Sequence, residues 1–108
     1  MPFNTATQIT AQAAIITLTG ELDAASAPLF REAVEQAAVA QPAHLVLEMS
    51  GLDFMASAGL RVLIFAKQKM GANVDIYVVA PQEMVLETLE KTGFDQSVII
   101  ADCYEVAA

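Results

Sequence analysis

His44-Leu45-Val46-Leu47-Glu48-Met49-Ser50-Gly51-Leu52-Asp53-Phe54-Met55-Ala56-Ser57-Ala58-Gly59-Leu60 is the stretch on which the fold turns. Leu45, Val46 and Leu47 are consecutive apolar residues, as in a strand covered on both faces. The spacing predicts a strand over His44–Met49 and a turn led in by Ser50–Met55. A helix then runs from about Ser57 or Ala58 to Met70, where Gly71-Ala72-Asn73 stops it. Apolar spacing passes from strand-like to helical within this short segment, which marks an α/β chain.

Working outward, the same alternation holds on both sides. Thr7–Thr10 and Ala14–Thr19 read as an opening hairpin around Ala11–Ala13, after which Gly20-Glu21-Leu22-Asp23 leaves the strand. Pro28 sits where a first helical turn accepts proline. Leu29, Ala33, Val34 and Ala37 form one apolar face beyond it, opposite Arg31, Glu32, Glu35 and Gln36, and Gln41-Pro42 ends the helix. Toward the C-terminus, Val74–Ala80 reads as another buried strand. Pro81 then starts a helix with Val85, Leu86 and Leu89 inward, and Gly93 follows its last turn. Ser97–Ala101 reads as a short last strand and Asp102–Ala108 as a short helix or frayed tail. Strands separated by single helices imply right-handed crossovers and parallel pairing. The expected product is an α/β fold, a mixed and mostly parallel sheet of four to five strands with helices packed against it.

With no repeat and no linker, the 108 residues read as one domain, 1–108, large enough to bury roughly two-thirds of its unfolded surface. Mean hydropathy is +0.50, yet the apolar runs are short: Val62–Ala66 lies between Arg61 and Lys67. None approaches the ~20 apolar residues of a spanning helix. No signal peptide is visible, and Cys103 has no cysteine partner, so a soluble cytoplasmic protein is expected. Thirteen acidic residues against 5 basic ones give a net charge of −8, which argues against direct binding of nucleic acid or an anionic membrane.

Ser57 is the residue with chemistry to weigh. Serine is a preferred helix N-cap, and capping is its plainest role. A catalytic serine would want the Gly-x-Ser-x-Gly elbow and a base, but Met55 occupies the first glycine position and the only histidine, His44, precedes Ser57. No phosphate-binding Gly-x-x-x-x-Gly-Lys loop is present either. Catalysis is rejected, and no metal or cofactor is expected. The third role is a phosphorylation switch. A phosphate adds about −1.5 to −2 charges, which a helix N-terminus tolerates and a docked partner does not. On the helix that follows, Leu60, Leu63, Ile64, Ala66 and Met70 are expected to face the sheet and Arg61, Gln68 and Lys69 to face outward, with Phe65 among them. Arg61, Phe65 and Lys69 are therefore expected to form part of a docking surface. On this reading Phe65→Ala weakens binding without lowering the melting temperature.

Gly20-Glu21-Leu22-Asp23-Ala24-Ala25, Leu45-Val46-Leu47-Glu48-Met49-Ser50-Gly51-Leu52 and Phe54-Met55-Ala56-Ser57-Ala58-Gly59-Leu60 together resemble the STAS domain of anti-sigma factor antagonists. The resemblance runs along nearly the whole chain. It implies a βα superhelical fold and a protein, not an enzyme, that binds an anti-sigma factor serine/threonine kinase while unphosphorylated and so regulates transcription. Phosphorylation by that kinase ends binding, and a metal-dependent serine phosphatase restores it. By position, Ser57 matches the phosphorylated serine, Asp23 an acidic residue near it, and Gly59 the glycine opening the helix. Ala56 and Ala58 flank the serine in the expected contact region, and both depart from the family's pattern, which commonly has Asp before the serine and often Ser after it. The alternative implied by the family is a non-phosphorylated scaffold or an accessory subunit of another regulatory or transport complex.

Overall fold

The computed structural model describes residues 2–104. Its elements are β1 (Asn4–Ile9), β2 (Ala13–Leu22), α1 (Ala27–Val39), β3 (His44–Met55), α2 (Ser57–Met70), β4 (Asp75–Val79), α3 (Glu83–Thr92), a 3₁₀ turn (Phe94–Ser97) and β5 (Ile99–Ala101). The sheet order is β1-β2-β3-β4-β5, with β1 antiparallel to β2 and every other pair parallel. That is the mixed, mostly parallel sheet expected. The hairpin strands are longer than their β-branched runs suggest, because β1 begins at Asn4 and β2 continues through Gly20-Glu21-Leu22.

The main departure is β3. Ser50–Met55 was expected to turn, but the strand runs on to Met55. Its partner β2 keeps strict alternation, burying Ala14, Ile16, Leu18 and Leu22. On β3 the core residues are Leu45, Leu47, Met49, Leu52 and Met55, so the spacing opens from two to three twice. Register with β2 slips at the same places. Thr17 pairs Glu48 but Thr19 pairs Gly51, and Gly20 pairs Leu52 but Glu21 pairs Phe54. Two bulges thus absorb an extra residue each and return Leu52 and Met55 to the core. A strand that changes phase twice does not read as a strand in sequence.

Helices cover one face. Phe30, Val34 and Ala37 of α1, Leu63 and Ala66 of α2, and Val85 and Leu89 of α3 form one cluster with Ile16, Leu45, Leu47, Ile76 and Val78 of the sheet. On the opposite face Ala13, Val46 and Val79 form a smaller cluster with Ile15, Tyr77 and Tyr104. Here the inward residues need correction. Leu29 is 53% exposed and Phe30 takes the core position, while on α2 Ile64 is 42% exposed and Gly59 and Val62 are buried instead. Leu86 is half-buried. α3 starts two residues after Pro81, and Gly93 ends it at φ 76°, a left-handed conformation that glycine adopts without penalty. Asp102–Tyr104 is not helical, and the rest of the expected tail, 105–108, lies outside the described residues.

Candidate functional site

The site forms where β2 and β3 end side by side. Leu22 pairs Met55 across the ladder, and the Ala56 amide donates to the Leu22 carbonyl at 2.8 Å. Ala56, extended at φ −80° and ψ 171°, is the N-cap of α2, and its carbonyl accepts from the amides of Gly59 (3.0 Å) and Leu60 (3.3 Å). Ser57 is therefore the first helical residue and not the cap. An alanine N-cap has no side-chain oxygen to offer the helix, and the start of α2 has no side-chain cap bond. Ser57 is exposed, and its hydroxyl forms no hydrogen bond with any described residue.

Gly59 explains how the helix start lies so close to the strands. It is buried, and a Cβ there would stand 2.7 Å from Leu22 Cδ2 and 2.8 Å from Leu22 Cγ and Met55 Cγ. Only the absence of a side chain allows that approach. Ala56 and Ala58 are half-buried beside it.

Asp23, the next residue after β2, is tied into its own turn. Its Oδ1 accepts from the Ser26 amide at 3.0 Å and the Ser26 hydroxyl at 2.9 Å, and its own amide donates to Ser26 Oγ at 2.9 Å. These bonds, the side-chain one foremost, hold the Asp23 carboxyl below its ordinary value although the residue is exposed. Asp23 thus holds Ser26, the N-cap of α1, in the turn before the helix, while the β2–β3 pairing brings its segment beside the start of α2.

Between α1 and α2 lies an open cleft of about 430 Å³, lined among others by Ala24, Pro28 and Arg31 on one side and Ala58, Arg61 and Phe65 on the other. The Arg31 guanidinium carbon sits 4.2 Å from the Phe65 ring centre, a cation–π contact. Phe65 itself is half-buried and packs against the core, so it is not the free surface ring expected from sequence. Arg61 and Phe65 share this cleft with Ala58. Lys69 does not, because it lies 12 residues beyond Ser57, about 18 Å along the helix, beside Ala38 at the far end of α1. Sequence reading missed Arg31, which stood only on the polar side of α1. Nothing local marks it, since its contact with Phe65 exists only through helix packing.

Among the described residues no group of three or more His, Cys, Asp or Glu side chains could hold a metal ion, and no helix is long and apolar enough to cross a membrane.

The chain is similar to the anti-sigma-F factor antagonist RsfB of Mycobacterium tuberculosis, 29% identical over 84 residues that cover 78% of this chain and 69% of RsfB. Its structure resembles that of an anti-sigma factor antagonist from Mycobacterium paratuberculosis with a TM-score of 0.86 at 24% identity, covering 94% of this chain and 87% of that one. It also resembles the anti-sigma factor antagonist SpoIIAA of Bacillus. The unphosphorylated form gives a TM-score of 0.73 at 19% identity over 93% of this chain and 88% of that one. The phosphorylated form gives 0.68 at 18% identity over 93% and 91%. A family model described as the STAS domain matches residues 4–107, and with the sheet order and helices described above, the chain belongs to the STAS domain family.

Proposed function

We propose that this protein is an anti-sigma factor antagonist, a binding module and not an enzyme. Unphosphorylated, it docks on an anti-sigma factor serine/threonine kinase through the start of α2 and the adjoining cleft, and so regulates transcription. The kinase transfers the γ-phosphoryl group of ATP to Ser57 Oγ, releasing ADP and a proton, and the modified chain dissociates. A metal-dependent serine phosphatase then hydrolyses the phosphoserine, consuming water and releasing inorganic phosphate, which restores the hydroxyl. The observation that carries the reading is Ser57, exposed at the first residue of α2 with its hydroxyl bonded to none of the described residues. A phosphate there displaces no hydrogen bond of the Ser57 hydroxyl among the described residues. At a docked interface it would place an unpaired dianion, and burying one costs several kcal/mol, with each 1.4 kcal/mol worth about tenfold in affinity. That SpoIIAA keeps a fold recognisably like this one in both its unphosphorylated and phosphorylated forms supports a switch that acts on binding.

The test is affinity capture with wild type, Ser57→Ala and Ser57→Asp as bait, with mass spectrometry of wild type after incubation with the captured kinase and ATP. Phosphate on Ser57, retained binding by the alanine variant and lost binding by the aspartate variant are expected. Ala56 favours a second reading, a STAS scaffold or accessory subunit that is never phosphorylated, because a methyl group stands where the resemblance expects a carboxylate. Under it Ser57 stays unmodified and the aspartate variant binds at full affinity.

A further inference from the structure

Arg61 follows Ser57 by four residues on α2, the spacing at which side chains on a helix surface are neighbours, with Cβ atoms about 5–6 Å apart. An acidic group at the first position and a basic one at the second is the favourable order. Arg61 is exposed and, among the described residues, has no ion pair, hydrogen bond or ring contact. The other cation of the cleft is already engaged, since Arg31 lies over Phe65 and 3.7 Å from Glu35. Asp23, just past the end of β2 where the cleft begins, has its carboxylate occupied by Ser26. On a molecule with net charge −8 and 5 basic residues, an unpaired arginine one turn from the candidate phosphate is a specific pairing.

Resting on Ser57 as the modified residue, we propose that Arg61 is the internal partner of the phosphate, so that phosphorylation draws its guanidinium out of the α1–α2 cleft and onto the phosphoryl oxygens. The modification then has two consequences for a docked protein. It adds a dianion, and it removes from the cleft an arginine that, among the described residues, has no partner and could meet a partner's carboxylate. The fork of the guanidinium suits two phosphate oxygens at once, which a lysine at this position does not reproduce.

The experiment installs phosphoserine at position 57 during translation, so no kinase is needed, and follows its phosphorus resonance against pH. Wild type is compared with Arg61→Gln, Arg61→Lys and Arg31→Gln. The second ionisation of the phosphate is expected to fall in wild type at a pH about 0.3–1 unit below that in Arg61→Gln, with Arg61→Lys between them and Arg31→Gln close to wild type. The Nε–H resonance of Arg61 in wild type is expected to shift between unmodified and phosphorylated chains, which requires no variant to fold. Equal ionisation in wild type and Arg61→Gln, a raised value in Arg31→Gln alone, or an unmoved Arg61 resonance would overturn the pairing. A kinase that never modifies Ser57 would instead defeat the proposed function and leave this titration unchanged.

Discussion

Gly59 and Asp23 show how single residues set up the start of α2. Any side chain at 59 collides with Leu22 and Met55, both buried, so relief must come from the core. Gly59→Ala gains about 1 kcal/mol of helix propensity but overpacks at a cost of about 1–3 kcal/mol. The expected net result is a destabilised protein, read as a lower urea midpoint, and a raised midpoint would contradict the geometry. Asp23 makes a pH prediction. Its carboxyl titrates below its unfolded value, so its contribution is present above about pH 3.9 and fades as pH falls through the folded value. Asp23→Asn is expected to melt below wild type at neutral pH, with the gap closing under acid. A gap unchanged down to pH 2 would mean the carboxylate charge is irrelevant to the turn.

At the scale of elements, helix faces decide what substitutions do. In α1 the adjacent residues Leu29 and Phe30 have opposite fates, one exposed and one fully buried. Phe30→Ala is expected to cost about 3–5 kcal/mol, whereas Leu29→Ser stays within about 0.5 kcal/mol of wild type. Denaturant titration of the pair tests the orientation of the helix. In α2, Phe65 is both a wall of the cleft and a support for the core, since it packs against buried residues beneath Arg31. Phe65→Ala is therefore expected to lower stability by roughly 1–2 kcal/mol, less than a fully buried phenylalanine would. An unchanged melting temperature would restore the exposed ring inferred from sequence. β3 adds the lesson of the bulges, because its two extra residues carry the chain from the middle of the sheet to the start of α2 while keeping Leu52 and Met55 inside.

Across the whole molecule the sheet is asymmetric, with α1, α2 and α3 contributing to the cluster on one side and Tyr104 helping to cover the other. There His44 Nδ1 lies 2.8 Å from Tyr104 Oη, and the rings of His44, Tyr77 and Tyr104 meet at 5.1–5.9 Å between centres. His44, the one histidine weighed as a base, is a structural clasp between β3 and the segment after β5. Tyr104→Phe keeps the ring packing and loses the bond, with an expected cost of about 0.5–1.5 kcal/mol by thermal melting.

Alternating periods located the strands and helices, the stop at Gly93 and a helix beginning at about Ser57 or Ala58, because strand and helix signals are local and can be read within a few turns of chain. The three segments around Gly20, Leu45 and Ser57 carried the family as well. Tertiary structure alone decided that β3 continues through Ser50–Met55, that Phe30 and not Leu29 faces inward, and that Arg31 joins Arg61 and Phe65 at one cleft while Lys69 stands apart. Each of those depends on residues distant in sequence: a neighbouring strand that tolerates bulges, or a second helix whose packing angle chooses which face is covered. Local periodicity contains no term for such partners.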